Sequence, residues 1–241
     1  KLSLEVPVPL IIDTTEPEVM EAALKKAPGK CLINSTNLEA GEEKARRVMT
    51  LVKKYNAALM MLTIDEHGMA KTADRKLEIA RRLFELATNQ FGLKPQDLVF
   101  DVLTFTLATG DPEYANSAIE TLEGIRKIKA HLPGTHTSLG VSNVSFGLSQ
   151  SARKVINSVF LYHAVKAGLD MAIVNPSHIK PYAEIDLEER QLAEDLIFNQ
   201  QVDALSLLIQ HFENVKTQSE SSSSLVDEMG DLAAEERLRL K

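Results

Sequence analysis

Six short apolar runs in this chain each end in a carboxylate or a carboxamide, at Asp13, Asn34, Asp65, Asp101, Asn143 and Asn175. No basic residue stands at the same point of any run, so the set suits a neutral heterocycle better than a phosphate. An aspartate can accept two neighbouring N–H groups from an amino-pyrimidine edge, and an asparagine can give and take one hydrogen bond each with an amide-like edge. A pterin offers both edges. The bland alternative is that each residue caps the helix after it. Separate cap candidates stand further along in most cases, at Thr15, Thr36 or Asn37, Thr72, Asp111 and Ser149 or Ser151. Only Asn175, followed by Pro176, reads as simple turn chemistry. A two-carboxylate hydrolase drawn from Asp13, Asp65 and Asp101 is conceivable, but nothing in their spacing requires it. Metal binding is weaker still, because no histidine accompanies the carboxylates at the strand ends.

The most unusual strand end is Ser138-Leu139-Gly140-Val141-Ser142-Asn143-Val144-Ser145-Phe146-Gly147-Leu148. An apolar run, a glycine and an asparagine between serines place Asn143 where the chain turns over the top of a sheet, as the floor of a ligand site. None of the histidines reads as a general base. His163 lies on an apolar helical face as a satisfied core residue, His131 and His136 flank a turn, and His67 is in a loop.

These residues need a scaffold of alternating strands and helices. Val8 to Ile12, Cys31 to Ile33, Ala57 to Ile64, Leu98 to Phe100, the Ser138 run and Met171 to Val174 read as strands. Between them lie amphipathic helices. The first is expected behind a Thr15–Glu18 capping box, the second carries Val48, Leu51, Val52 and Tyr55, and the third Leu77, Ala80, Phe84 and Ala87. A fourth starts at Asp111-Pro112 with Leu122, Ile125 and Ile128 inward, a fifth holds Val155 and Val159, and a sixth starts at Asp186. Short apolar strands alternating with such helices mean a parallel sheet with right-handed crossovers. Polar residues at every strand end favour an α/β TIM-type (β/α)8 barrel whose upper rim is the site, with its first two strand–helix units lying upstream of Lys1. Residues 1–212 form this partial barrel domain, 213–230 a Ser-rich flexible linker, and 231–241 the start of a charged helix.

At 241 residues and 44% hydrophobic, the chain can bury a full core. A net charge of −7 and a pI near 5.5 argue against nucleic acid as a partner. The longest apolar stretch, Leu98 to Gly110, is broken at Asp101, so no membrane span is expected, and the absence of a leader points to the cytoplasm. A single cysteine, Cys31, excludes a disulfide framework and reads as a small buried hydrophobe.

The ordered series IIDTT, CLINSTN, MMLTIDEHGMA, LVFD, LGVSNVSFGL and SVFLYHAVKAGLDMAIVNP resembles the pterin-binding domains of cobalamin-dependent methionine synthases, over about residues 8 to 200. The tail AAEERLRLK resembles the lead into the helical cap of their cobalamin module. The resemblance implies a methyltransferase that binds 5-methyltetrahydrofolate and presents its methyl group to reduced cobalamin on a separate module of the same polypeptide. Zinc is implied only in an upstream homocysteine domain outside this chain. By position in the motifs, Asp13, Asn34 and Asp101 would hold the pterin ring and Asn143 would lie beside the methyl-bearing nitrogen. Gly140 and Ser142 would line the same turn, and Arg153 would meet the folate tail. Methyltransferases that serve a corrinoid iron–sulfur protein share the barrel. Dihydropteroate synthases rank below, because their Asp-Pro-Gly-rich loop and Ser-Arg-Lys motif are absent. A folate-binding or interaction module without turnover is the reading of a different class.

Overall fold

The computed structural model describes residues 5–215 and residue 217. Its main sheet has six strands, β1 (Ile11–Asp13), β2 (Leu32–Thr36), β3 (Ala58–Leu62), β6 (Leu98–Asp101), β7 (His136–Gly140) and β8 (Met171–Ile173), in the order β1-β2-β3-β6-β7-β8. Every pairing in it is parallel. The crossovers carry α1 (Pro17–Leu24), α2 (Glu42–Tyr55), α3 (Ala73–Glu85), α4 (Ser117–His131) and α5 (Gln150–Ala167). Helix α6 (Leu187–Ile197) and α7 (204–215) follow β8. The result is an open part of a TIM-type α/β barrel, as the alternation of elements predicts. Among the described residues β1 and β8 do not pair, and the inner-face residues of these outermost strands, Ile11 and Ile173, are 52% and 47% exposed.

One residue period explains both faces of the sheet. Ile33, Leu59, Met61, Leu98, Phe100 and Leu139 point outward into a single apolar cluster with the helices. Helix α2 contributes Val48, Met49 and Val52, α3 Ile79 and Leu83, and α5 Val155, Ile156, Val159 and Phe160. The residues between them in each strand point into the barrel. His163 is satisfied as expected, its Nε2 lying 2.9 Å from Glu194 Oε1, which also accepts the Tyr182 hydroxyl at 2.6 Å.

Several local expectations change. Helix α1 starts at Pro17 with Glu16 as its N-cap and no side-chain cap, so the Thr15–Glu18 box does not form; Thr15 donates instead to the Glu16 carboxylate. Pro17 at the first helical position offers no N–H to cap. Asp111 caps only a 3-10 turn, Pro112–Tyr114, and α4 begins at Ser117. Thr72, Ser149 and Asp186 do cap α3, α5 and α6 through the backbone N–H groups of Arg75, Ala152, and Glu188 with Glu189. The long strand expected from Ala57 to Ile64 stops at Leu62, and a separate antiparallel hairpin, β4 (Ile64–Asp65) with β5 (Gly68–Met69), follows it. Helix α7 covers residues 213–215, while residues 218–241, with the rest of the expected linker and cap, lie outside the described residues.

Helices α3 and α4 pack closely at Gly124. A Cβ there would lie 2.8 Å from Lys76 Cδ and 3.3 Å from Val102 Cγ1. Gly124→Ala is therefore expected to destabilise the chain by about 1–3 kcal/mol, the range for overpacking a filled core, despite alanine's better helix propensity. Urea denaturation checks this, and an unchanged midpoint would show that the α3–α4 contact yields freely.

Candidate functional site at the carboxyl ends of the strands

Register decides which polar residues share a face. Asp13 pairs with Asn34, Leu62 with Asp101, Asp101 with Ser138, and Gly140 with Ile173. Side chains paired across a parallel ladder point to the same side, so Asp13, Asn34, Asp101, Ser138 and Gly140 all belong to the inner face. Asp13 is exposed, Asn34 half-buried and Asp101 buried. Beyond Asn34 the register shifts, with Thr36 opposite Met61 and Ser35 left over, so the irregularity falls just past Asn34 while β2 stays paired with β3. The Thr14 N–H donates to Asn34 O at 2.9 Å and ties the first two strand tops together.

Asp101 has the most elaborate support. The chain turns sharply after it, with Leu103 in the left-handed region at φ 55°, and the Leu103 N–H donates to Asp101 Oδ1 at 2.9 Å. Leu103 O accepts the Thr121 hydroxyl at 3.0 Å and Lys76 Nζ at 3.1 Å, and Lys76 Nζ also donates to Val102 O at 2.6 Å. Burial raises the Asp101 carboxyl to a pKa of about 6, with the Leu103 N–H and the Lys76 charge opposing the rise. Burial likewise lowers Lys76 to about 8, opposed by the charges of Asp101 and Glu120. The expectation that no basic group serves these strand ends is thus corrected at Asp101, where Lys76 comes from behind the turn.

On the next strand, Ser138 Oγ is buried and meets no hydrogen-bond partner among the described residues. After Gly140 the chain forms a 3-10 turn, Val141–Ser145, anchored by buried Val141 and Val144. Asn143 stands exposed on this turn, and its side-chain amide bonds to no described residue. The Gly140 position is tight, since a Cβ there would approach Asn143 Nδ2 to 3.4 Å. Ser145 pins the turn from below: its hydroxyl lies 2.7 Å from Asn157 Oδ1 and 3.2 Å from Ser142 O, and it accepts Arg153 Nε at 3.3 Å. Arg153 also donates to Ser142 O at 3.4 Å. Arg153, Lys154, Asn157 and His178 line a cleft of about 500 Å3 that reaches Ser142 and contains no carboxylate.

Two strand-end residues are otherwise engaged. Asp65 lies in the hairpin rather than at a barrel strand end, buried against an ion pair with Arg75 and 4.0 Å from Arg82. Asn175 accepts the Ser177 N–H at 3.1 Å and hydroxyl at 2.8 Å, the turn chemistry its sequence suggests. Asp13 and Asp101 stand three strand positions apart in the sheet order, at the tops of β1 and β6.

Residues 1–175, which include every one of these inner-face strand ends, match the sequence model of the pterin binding enzyme family. The chain belongs to that family. It is 42% identical over 239 residues to the methionine synthase of Mycobacterium tuberculosis, covering 97% of this chain and 20% of that protein. To the methionine synthase of Mycobacterium leprae it is 43% identical over 218 residues, 88% of this chain and 18% of the relative. The chain thus spans about a fifth of the length of the curated relatives it matches. The resemblance carried by the strand-end motifs is borne out by these matches. No helix among the described residues is long and apolar enough to cross a membrane.

Lys76 and Asn157 were not singled out by their sequence, and Ser138 and Ser145 only as members of the run around Asn143. Asn157→Ala leaves the Ser145 hydroxyl without its side-chain acceptor in a buried setting, expected to cost about 1–3 kcal/mol and to loosen the Asn143 turn. Thermal unfolding together with amide exchange at Val144 and Ser145 measures both effects; unaltered exchange would mean that the turn holds its shape without Asn157.

Proposed function

We propose that this chain binds 5-methyltetrahydrofolate in the barrel mouth and presents its methyl group to reduced cobalamin on a separate module, the folate half of methionine synthesis. The observation that supports it is the common inner face of Asp13, Asn34 and Asp101, with the unpaired Asn143 amide on the rim beside them. In this reading Asp101, buried and oriented by Leu103, accepts the paired N–H groups of the pterin's amino-pyrimidine edge. Ser138, with a free buried hydroxyl next to it, offers a further hydrogen bond to the ring. Asp13 and Asn34 meet the ring from the opposite side. Arg153 and Lys154, in their carboxylate-free cleft, suit the anionic tail.

A methyl group on a tertiary amine leaves only when the departing nitrogen is relieved of its developing negative charge. The Asn143 amide cannot give up a proton at neutral pH, but it donates a hydrogen bond to that nitrogen while water delivers the proton. The bond from nitrogen to the methyl carbon breaks as the proton arrives, and the amine leaves neutral. The corrinoid supplies the electron pair that accepts the methyl group. Binding and orientation are this chain's share.

A second reading, folate binding without turnover by the chain alone, is favoured by the uncovered inner face at Ile11 and Ile173. Single-turnover methyl transfer to added reduced cobalamin separates the two.

Asp13→Ala or Asp101→Ala is expected to weaken 5-methyltetrahydrofolate binding by about one to two powers of ten, since each strips a partner from a buried polar edge. Unchanged affinity in titration calorimetry would sink the pterin reading. Asn143→Ala is expected to slow single-turnover transfer more than it weakens binding. Equal losses in rate and affinity would reduce Asn143 to a binding contact.

A further inference from the structure

We propose that Lys76 is a positioning residue for ligand recognition: its ammonium, buried behind the Asp101 turn, keeps that turn folded and the Asp101 carboxylate charged toward the barrel mouth. The proposal rests on the pterin reading only for the identity of the ligand that Asp101 meets.

Lys76 is among the largest fully buried side chains of the chain, at 1% exposed. Its ammonium donates to two backbone carbonyls, Val102 O at 2.6 Å and Leu103 O at 3.1 Å, and not to a carboxylate. A buried ammonium solvated in this way is costly, and a methionine, close to lysine in length, would fill the space at less cost. What the ammonium adds is specific to the turn. Both carbonyls belong to the residues that fold back onto Asp101, and the same Leu103 that accepts from Lys76 donates its N–H to Asp101 Oδ1. The helix opposite makes room for it, since only a glycine at 124 leaves space for the lysine stem.

The charge environment isolates the pair. Glu120 on α4 faces Lys76, but its carboxylate already accepts the Ala73 N–H at 2.6 Å. Asp65 on the hairpin is taken by Arg75, and Asp74 on α3 by Lys127. His136, on the inner face of β7, lies 3.8 Å from Asp170, and Asp13 stands three strands away. Lys76 is therefore the cation that opposes burial of Asp101. A ligand that donates N–H groups needs Asp101 ionised. Its affinity should hold above pH 6 and fall about tenfold per unit well below it, because the protonated carboxyl no longer accepts both bonds.

The test is a carbon-detected NMR titration of the chain, read beside 5-methyltetrahydrofolate affinity from pH 5 to 8. In the unmodified chain the Asp101 carboxyl is expected to titrate near pH 6, and Lys76 Cε to register the same step, since coupled charges report one another. Lys76→Met is expected to move the Asp101 midpoint up, the direction that follows from losing the charge that opposes its burial, and to move the acid limb of the affinity profile with it. A midpoint that stays in place overturns the proposal. In an Asp101→Asn background, Lys76→Met should cost less affinity than in the unmodified chain, because only its hold on the turn is then lost; an equal loss there would make Lys76 a merely structural residue and also overturn it. Should Lys76→Met fail to fold, the unmodified chain decides: a Lys76 signal without a step at the Asp101 midpoint refutes the coupling. Absence of folate binding at every pH defeats the pterin reading instead, and the carboxyl titration then judges Lys76 by itself.

Discussion

In a parallel sheet each inward residue stands beside the inward residue of the next strand, so the pairings of Asp13 with Asn34 and of Asp101 with Ser138 decide where polar groups can gather. A slip of one residue in β6 would turn Asp101 toward the helices and bring Phe100 into the mouth. What prevents the slip is the outer face. Leu59, Leu98, Phe100 and Leu139 are fully buried against the helices, and moving any one of them inward would expose apolar area across several strands at once. The apolar core thus holds the polar site in register without touching it.

The two sides of the mouth are built differently. On the β1–β2 side, Asp13 is exposed and Asn34 half-buried, and neither has a deep supporting shell. On the β6–β7 side, Asp101 is buried, braced by Leu103 and backed by Lys76, and the Asn143 turn is pinned through Ser145, Asn157 and Arg153. Rigidity is concentrated where the most demanding hydrogen bonds to a ligand would form. The price of that rigidity is a left-handed Leu103 and a buried ammonium.

The alternation of short apolar runs with amphipathic helices made the fold class readable, and the polar residue closing each run made most of the rim readable. Asp65 misled because a hairpin of two residues per strand has too little pattern to separate it from the strand before it. The Thr15–Glu18 box matched the usual spacing, yet with Pro17 at the first helical position the N-cap is Glu16, one residue past the expected cap. Lys76 was hidden by its surroundings, since the run from Lys71 to Arg82 is dense in charge and reads as a solvated face. Its period gave a usable signal all the same. Ala73, Lys76, Leu77, Ala80 and Leu83 share one side of α3, and all five are buried. Ser138 and Asn157 carried no signal of their own, because their importance comes from neighbours distant in sequence.

Gly124 and Lys76 each look like a poor choice when considered singly. A glycine inside a helix costs about 1 kcal/mol relative to alanine, and a lysine in the core would ordinarily be replaced by an aliphatic residue. Together they fit, because the missing side chain on α4 is the channel through which the lysine stem reaches the Asp101 turn. Across descendants of this chain the two positions should therefore change as a pair, with a larger residue at 124 appearing only where 76 has become short. Such covariation would be the evolutionary trace of a contact between two helices that serves a third element altogether.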